Sequence, residues 1–191
     1  MADILLVEDD PLIAHNMARA LTLAGHQVGS AHSLAAARTL TASQRYDLLL
    51  IDIGLPDGSG LDFARELRHD KYSSPFIFLT AYEDAATVHA AIDCGAHAYL
   101  VKPVAAKQLL PMIDSALATL ARQAEQANRL VAAIASNRAI SAAAGMLAER
   151  HQCTPEVAFE AMRRWARQHE VKVESVAQQV IDGEKNVDSL I

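Results

Sequence analysis

Residues 47–60, DLLLIDIGLPDGSG, are the most informative segment for predicting the fold. Its first part, Asp47–Ile51, is a brief and mainly apolar run, which is typical of a strand buried on both faces. The run ends on a carboxylate, Asp52, and the Gly, Pro and Ser residues that follow indicate a turn. Helical spacing resumes at Gly60. The stretch therefore predicts a strand, an acidic side chain at the strand end, a turn and a helix.

The same alternation extends over the first 105 residues. Short apolar runs predict strands, and the stretches between them carry apolar residues at helical spacing. The predicted strands are Ile4–Val7, Gln27–Ala31, Asp47–Ile51, Phe76–Thr80 and Ala98–Val101, and the predicted helices are Leu12–Ala24, Leu34–Ala42, Gly60–His69 and Ala85–Cys94. Strict alternation of strand and helix predicts an α/β fold with a doubly wound, five-stranded parallel sheet.

Acidic residues gather at the predicted carboxyl ends of the strands, the edge where open α/β sheets bind ligands. Glu8 and Asp9 follow the first strand, and Asp52 follows the third. Carboxylates that meet at one edge repel each other unless a cation lies between them, and Mg²⁺ prefers oxygen ligands of this kind. A bound Mg²⁺ would neutralise the charge that develops on a transferring phosphoryl group while a carboxylate oxygen attacks phosphorus.

Two further strand-end residues suit the same chemistry. Lys102, after the fifth strand, can pair with Asp52 before phosphorylation and with phosphoryl oxygens after it. Thr80 ends the fourth strand and offers a hydroxyl to a phosphoryl group, although a β-branched residue that only completes a strand is the alternative. Asp10 and Asp57 are expected to cap helices or shape turns.

After about residue 105 the pattern is helical throughout. Apolar residues recur at alternating four- and three-residue steps, which is typical of a coiled-coil seam. These residues are Ile113, Leu117, Leu120, Ala124, Ala127, Val131 and Ile134. We predict a coiled-coil linker over residues 113–135, with an ordinary helix packed on its own domain as the alternative. Helices from about Asn137 to Arg150, from Thr154 and over Val173–Ile181 should follow, before a flexible tail at residues 183–191.

Composition and charge narrow the functional class. A hydrophobic share of 51% with 21% charged residues is ordinary for a chain that folds. No uninterrupted apolar run approaches the roughly 20 residues of a spanning helix, which predicts a cytoplasmic protein without a membrane partner. The net charge of −6 argues against nonspecific coating of nucleic acid. Cys94 and Cys153 have no CxxC spacing and are expected to be buried small side chains, rather than disulfide or zinc ligands.

Four motifs stand in order at the predicted strand ends. They are LLVEDDP at Leu5–Pro11, IDIGLPDGSG at Ile51–Gly60, LTA at Leu79–Ala81 and YLVKP at Tyr99–Pro103. Together they resemble the receiver domain of bacterial two-component response regulators, over about residues 1–120. The resemblance implies a flavodoxin-like fold for this part of the chain, and no central position departs from the family pattern.

The resemblance also implies a role for each acidic position. Asp52 would accept a phosphoryl group from a sensor histidine kinase. Glu8 and Asp9 would be the acidic pair that binds Mg²⁺ together with Asp52, and the backbone carbonyl of Gly54 would be a further protein ligand. The chain would accept the group without a separate enzymatic output domain.

Four residues would bind the phosphoryl group and report its presence, by the same resemblance. Lys102 would pair with the phosphoryl oxygens, and Ala81 would supply a backbone N–H and room for the group. Thr80 and Tyr99 would form the switch pair, in which Thr80 moves toward the phosphoryl group and Tyr99 swings inward behind it.

The helical part carries a second set of motifs: Arg138-Ala139-Ile140, Ala143–Leu147, Glu149-Arg150, Thr154–Phe159, Met162-Arg163 and Val176-Ala177. They resemble the ANTAR domain of antitermination regulators, over about residues 130–182. Such domains form three helices after a coiled coil and bind RNA hairpins in nascent transcripts. Arg138 and Arg163 match the family pattern, and Arg164 and Arg167 are added as RNA-binding candidates from neighbouring helical positions.

Ala144 and Gly145 lie in the second motif of the helical part, Ala143–Leu147. Ala144 stands where the family commonly has lysine, which should weaken the basic patch, and Gly145 is expected to allow close helix packing. From composition alone, arginines and aromatic residues on helices are more often a solvated face and a core than an RNA site.

Together the two resemblances imply a phosphorylation-controlled, dimeric, RNA-binding transcription antiterminator. An output domain that binds DNA or a protein partner instead of RNA is the alternative.

Overall fold

The computed structural model describes residues 1–81 and 85–183. The chain divides into two compact units, Met1–Gln123 and Ala124–Ile191. In chain order the elements are β1 (Asp3–Val7), α1 (Pro11–Leu23), β2 (Gln27–Ala31), α2 (Leu34–Ser43), β3 (Leu48–Asp52), β4 (Gly54–Leu55), β5 (Gly58–Ser59), α3 (Gly60–His69), β6 (Phe76–Thr80), α4 (Ala85–Asp93), β7 (Ala98–Val101), α5 (Ala106–His151), α6 (Pro155–Gln168) and α7 (Val173–Ile181). Apart from Gly183, the predicted tail at residues 183–191 lies outside the described residues.

The first unit contains a five-stranded parallel sheet with strand order β2-β1-β3-β6-β7. The register pairs Leu6 with Leu50, and Ile51 with Phe78, so the longest apolar runs lie side by side at the centre. The predicted doubly wound sheet is therefore confirmed. The chain order reverses at β1 and β3, and such switch points are where these folds bind ligands beyond the carboxyl ends of the strands.

Alternate residues of the central strands supply two hydrophobic cores, one on each face of the sheet. Leu49, Ile51, Phe76 and Phe78 face the core that includes residues of α2, α3 and α4. The other core includes residues of α1 and the start of α5, with Leu48, Leu50, Ile77 and Leu79 from the strands. Each fully buried side chain of this size stabilises the fold by about 2 kcal/mol, which fixes the strands that carry the acidic edge.

Asp10 holds the start of α1, as the sequence predicted. Its carboxylate accepts the backbone N–H of Leu12 at 2.8 Å and that of Ile13 at 3.0 Å. Pro11 occupies the first turn, where a backbone N–H has no acceptor within the helix, so proline's missing N–H costs no hydrogen bond. The cap places α1 directly after Glu8 and Asp9, at the carboxyl end of β1.

Helix α5 differs from the prediction, because it runs without a break over 46 residues from Ala106 to His151. The expectation that a new helix begins near Asn137 is therefore wrong. The physical reason is that the sequence has neither Gly nor Pro between Met112 and Ala144, so no residue there ends a helix.

The predicted seam on α5 has two different environments. Ile113 is fully buried in the core beneath the sheet, which fits the alternative of a helix packed on its own domain. Val131 and Ile134, further along, are 67% and 46% exposed. The first part of the seam thus belongs to the core of the first unit, whereas the later part presents apolar side chains to solvent.

Among the described residues, α5 is the one helix that is long and apolar enough to cross a membrane, judged by length and composition alone. This is weak support for a span, because the same criteria are met by helices of soluble proteins. Leu109 and Ile113, near its start, pack in the core of the sheet unit, and Leu147, near its end, packs in the core of the helical unit.

The second unit has a small core formed by the end of α5 together with α6 and α7. Its buried residues are Ala143, Ala144, Leu147, Ala148, Ala158, Met162, Ala166, Val176, Ala177 and Val180. Ala144 is thus part of the core. Gly145 is exposed, and a Cβ built there would meet no described atom within 4 Å apart from its chain neighbours and the nearby backbone of its own helix, so its predicted packing role is wrong. Cys94 is buried, as expected, whereas Cys153 is only half-buried.

Candidate functional site

The predicted acidic residues meet at the carboxyl ends of β1 and β3. Glu8 is completely buried and Asp52 is 5% exposed, whereas Asp9 is exposed. Each residue offers a carboxylate oxygen, and these atoms lie within 4.8 Å of one another. Burial of two carboxylates this close is unfavourable unless a positive charge compensates them.

Lys102 supplies that positive charge. Its Nζ lies 2.5 Å from Asp52 Oδ2 and 2.6 Å from Glu8 Oε2. Burial alone would lower the pKa of Lys102, but its hydrogen bonds to Asp52 and Glu8 outweigh burial and raise the pKa. The ammonium is therefore charged at neutral pH. The Lys102–Pro103 peptide bond is cis.

Glu8 experiences opposing effects. Burial raises its pKa, and the nearby Asp52 carboxylate acts in the same direction, while the hydrogen bond and charge of Lys102 lower it. The net effect is to raise the pKa of Glu8 above its ordinary value. A second cation in the pocket would favour the ionised form of Glu8, as expected of a site that is completed by a metal ion.

Both carboxylate oxygens of Asp52 have partners. Oδ2 contacts Lys102, and Oδ1 accepts the backbone N–H of Gly54 at 3.0 Å. Gly54 begins a short antiparallel ribbon formed by β4 and β5, which the sequence did not predict beyond a turn. The structure thus places the backbone N–H of Gly54 beside the Asp52 carboxylate.

Gly60 ends the motif Ile51–Gly60, but the sequence predicted no role for it beyond the start of a helix. A Cβ built on Gly60 would lie 2.1 Å from the carbonyl oxygen of Asp52 and 2.8 Å from Ile51 Cγ2. Only glycine allows α3 to begin this close to the end of β3. A glycine at the first position of a predicted helix was the available signal for this role, since glycine is otherwise unfavourable inside helices.

The predicted phosphoryl-binding and switch residues lie on β6 and β7 or directly after them. Thr80 is buried at the end of β6, and its backbone carbonyl accepts the N–H of Lys102 at 2.7 Å. Ala81 follows and is exposed. Tyr99 pairs with Phe78 in the sheet register and is half-buried against the core that includes α2 to α4. Lys102 and Thr80 are thus adjacent at the edge that carries Asp52.

The residues of the pocket fit a magnesium ion by their donor chemistry. Two carboxylates from β1 and one from β3 present oxygen atoms within 4.8 Å of one another, and one of them is exposed, so water can complete the coordination. Mg²⁺ favours this combination of one or two carboxylates with several waters.

The four RNA-binding candidates lie in the helical unit. Arg138 is exposed on α5, and Arg164 and Arg167 are exposed on α6. Arg163 is half-buried, pairs with Glu160 at 2.9 Å and lies over the Phe159 ring at 5.9 Å.

The helical repeat of 100° per residue puts Arg163, Arg164 and Arg167 within an arc of about 100° on α6. Glu160 lies in the same arc and reduces its positive charge. The aromatic residues Phe159 and Trp165 pack against the core of the helical unit, as the composition argument predicted.

Two domain families match the chain: the response regulator receiver domain at residues 4–114 and the ANTAR domain at residues 128–181. The transcriptional regulatory protein PdtaR of Mycobacterium tuberculosis is 31% identical over 184 residues, which cover 94% of this chain and 89% of PdtaR. The response regulator protein PmrA of Pseudomonas aeruginosa is 42% identical over 100 residues, which cover 52% of this chain and 45% of PmrA.

Solved receiver domains share the fold of the first unit. A CheY-like receiver domain protein from Methanospirillum hungatei gives a TM-score of 0.62 at 26% identity, covering 64% of this chain and 98% of that protein. A receiver domain protein from Clostridium thermocellum gives a TM-score of 0.60 at 30% identity, covering 64% of this chain and 99% of that protein. This chain therefore belongs to the response regulators in which a receiver domain is followed by an ANTAR domain.

Proposed function

We propose that this response regulator is phosphorylated on Asp52 and acts in the cytoplasm as a dimeric, RNA-binding transcription antiterminator. The observation that carries the proposal is the buried pocket in which Asp52 contacts Lys102 and lies within 4.8 Å of the Glu8 and Asp9 ligand atoms. A carboxylate held between a cation and further acidic ligands meets the electrostatic requirements of phosphoryl acceptance.

In the proposed transfer, an Asp52 carboxylate oxygen attacks the phosphorus atom of a phosphohistidine on a sensor histidine kinase. A P–O bond forms on Asp52 as the P–N bond breaks, and the histidine leaves as imidazole after it takes up a proton. Glu8, Asp9, Asp52 and the backbone carbonyl of Gly54 would hold Mg²⁺, which supplies charge neutralisation when bound. Lys102 exchanges its ion pair with Asp52 for one with the phosphoryl oxygens.

The phosphoryl group would then be detected by β6 and β7. We infer that the Thr80 hydroxyl and the Ala81 N–H bind its oxygens, and that Tyr99 moves inward behind Thr80. The burial of the two strands supports assigning the movement to Tyr99 on β7. All residues of β6 are buried, whereas every residue of β7 is only half-buried, so the edge strand has fewer packing contacts to lose when it moves.

Labelling with acetyl phosphate and Mg²⁺ tests the acceptor. Wild type should take up one phosphoryl group per chain, measured by intact-protein mass spectrometry, and Asp52→Asn should take up none. Asp10→Asn is the matched control, because asparagine caps a helix as well as aspartate does and the Asp10 carboxylate binds the first turn of α1, not the residues of the pocket. Equal labelling of Asp52→Asn and wild type would make the acceptor assignment wrong.

We propose that the helical unit binds RNA hairpins in nascent transcripts through Arg138, Arg163, Arg164 and Arg167. The ANTAR family match over residues 128–181 and the shared arc of the three α6 arginines support this proposal. Gel retardation of the phosphorylated protein with tandem RNA hairpins and with matched duplex DNA is the test. Retardation of the DNA alone, or of neither, would favour a DNA-binding or protein-binding output instead.

We also propose that two copies associate through the exposed part of the α5 seam. Val131 lies on the seam at 67% exposure, and Leu130 lies beside it at 63% exposure, so the two form a matched pair for substitution. In sedimentation experiments Val131→Asp should weaken self-association by about tenfold or more, because an a or d position becomes charged. Leu130→Asp should weaken it much less, and equal effects would contradict the seam.

The same sedimentation experiment shows how phosphorylation acts. Adding beryllofluoride, which mimics the phosphoryl group, should change either the dimer affinity or the shape of a standing dimer. An unchanged sedimentation profile, together with unchanged RNA binding, would contradict control by phosphorylation.

A further inference from the structure

Asp57 lies in the turn of the ribbon, between β4 and β5, and makes contacts far away in the sequence. Its Oδ1 accepts the backbone N–H of Leu34 at 2.9 Å, and its Oδ2 accepts that of Ala35 at 3.0 Å. The side chain is exposed, yet both oxygens bind the first turn of α2. The sequence predicted a turn residue here, but not the helix that it caps.

Two side chains therefore cap α2. The first N–H groups of a helix have no partner within the helix. Ser33, the local N-cap, accepts the N–H of Ala36 at 3.2 Å, while Asp57 takes those of Leu34 and Ala35. Gly58 brings the ribbon against the helix, because its φ is +146° and a Cβ there would lie 2.9 Å from Leu34 Cδ1.

The other end of the ribbon reaches the acidic pocket. Gly54 pairs with Ser59 across the ribbon and donates its N–H to Asp52 Oδ1 at 3.0 Å. The segment just before α2 also contacts the pocket, because His32 Nδ1 lies 2.9 Å from the carbonyl oxygen of Glu8. His32, in the connection from β2 to α2, thus contacts the segment of Glu8 and Asp9, while the first turn of α2 contacts the ribbon that begins at Gly54.

We propose that Asp57 is a positioning residue for Mg²⁺: by fixing the ribbon to α2, it holds Gly54 at the distance from Asp52 and Glu8 that metal binding requires. The inference rests on the proposed metal ligands of the phosphorylation site. Partners that orient metal ligands commonly change metal affinity by about tenfold or more when removed.

The local electrostatics agree with this role. Hydrogen bonds from the backbone N–H groups of Leu34 and Ala35 hold the pKa of Asp57 below its ordinary value. The carboxylate is therefore charged at neutral pH and favourably placed at a helix N-terminus.

Mg²⁺ affinity of the full chain, measured by calorimetric titration, tests the proposal with a control on the same helix. Asp57→Ala should weaken Mg²⁺ binding by about tenfold. Ser33→Ala removes the other cap of α2 without touching the ribbon, so it should lower thermal stability but leave the Mg²⁺ affinity within about twofold. Asp57→Asn keeps only one of the two acceptor oxygens and should therefore recover part of the loss. Wild-type affinity in Asp57→Ala, or equal losses in Asp57→Ala and Ser33→Ala, would overturn the proposal.

The phosphorylation rate separates a positioning role from a general structural one. With acetyl phosphate as donor, Asp57→Ala should need about tenfold more Mg²⁺ for half-maximal labelling and should reach the wild-type rate at saturation. A lower maximal rate at unchanged Mg²⁺ requirement would contradict the proposal. If wild type were not labelled at all, the proposed phosphorylation would fail, while the Mg²⁺ titration would still decide the role of Asp57.

Discussion

The pocket of the sheet unit and the arginines of the helical unit present charge in opposite ways. Glu8 and Asp52 are buried and share one ammonium, Lys102, at 2.6 and 2.5 Å. Arg164 and Arg167, by contrast, are exposed on a single helix. Buried charges interact strongly and must be placed accurately, whereas exposed charges are screened by salt and act almost independently.

This difference sets the size of the expected effects. In the pocket, one added or removed atom changes the contacts of the buried carboxylates of Glu8 and Asp52, so stability and chemistry should respond together. On α6, each cation contributes a small part of a shared attraction to phosphate, so a single substitution should change little. Substitutions at Gly60, Lys102, Asp57 and Arg164 test this difference, and we expect their effects to decrease in that order.

Gly60→Ala should have the largest effect. The new Cβ would lie 2.1 Å from the Asp52 carbonyl oxygen, and neither the strand nor the helix can move away cheaply. We expect the free energy of unfolding to fall by about 3 kcal/mol in urea titrations. Gly54→Ala, at the start of the ribbon, is the control, because a Cβ there meets no described atom within 4 Å. Its effect should stay within about 0.5 kcal/mol. A small loss for Gly60→Ala would mean that the pocket is less rigid than its packing indicates.

Lys102→Met should have the next largest effect. It leaves Glu8 and Asp52 buried together without their shared cation, so we expect a loss of about 2 kcal/mol in the free energy of unfolding at neutral pH. Mg²⁺ should restore part of that loss, because the metal replaces the missing positive charge. The check is the shift of the thermal midpoint with Mg²⁺, which should be larger for Lys102→Met than for wild type. An equal shift would argue against a metal ion shared by these carboxylates.

A fall in pH should remove the contribution of Asp57 to the stability of the fold. Its pKa is lower when folded than its ordinary value of 3.8, so its stabilising effect is present above pH 3.8 and is lost as the pH falls through the folded-state pKa. The thermal midpoint of wild type should therefore exceed that of Asp57→Asn at pH 7, and the difference should shrink below pH 3.8. A difference that persists unchanged in strong acid would mean that hydrogen-bond geometry, rather than charge, is responsible.

Arg164→Ala should have the smallest effect. Loss of one exposed phosphate contact should weaken RNA binding by about threefold and reduce the dependence of affinity on salt by about one counterion. Arg122→Ala, on α5 outside the residues that match the ANTAR family, is the control and should leave affinity unchanged. Affinity should be measured at two or more salt concentrations. A loss of a hundredfold or more at constant salt would place Arg164 in a buried contact that its exposure does not suggest.

Much of the sheet unit could be predicted, because local pattern and tertiary burial agree there. The runs at Asp47–Ile51 and Phe76–Thr80 are apolar on both faces, and only a central strand of a parallel sheet buries both. The convergence of Glu8, Asp52 and Lys102 then follows from the parallel direction of the strands. The predicted start of a helix near Asn137 was wrong, because the sequence between Met112 and Ala144 contains neither Gly nor Pro to end the preceding helix.

The residues of the acidic edge could be identified from the sequence, since an apolar run that ends in a charged residue indicates both the strand and the position of that charge. How the edge is held depends on tertiary contacts: Gly60 packs against the Asp52 carbonyl, and Asp57 binds the first turn of α2. Tertiary packing also divides one continuous seam into a buried part at Ile113 and an exposed part at Val131. Hydrophobic periodicity can be read from one segment alone. A close contact or a long-range helix cap involves two segments, and the pattern of either segment does not show which residues of the other it will meet.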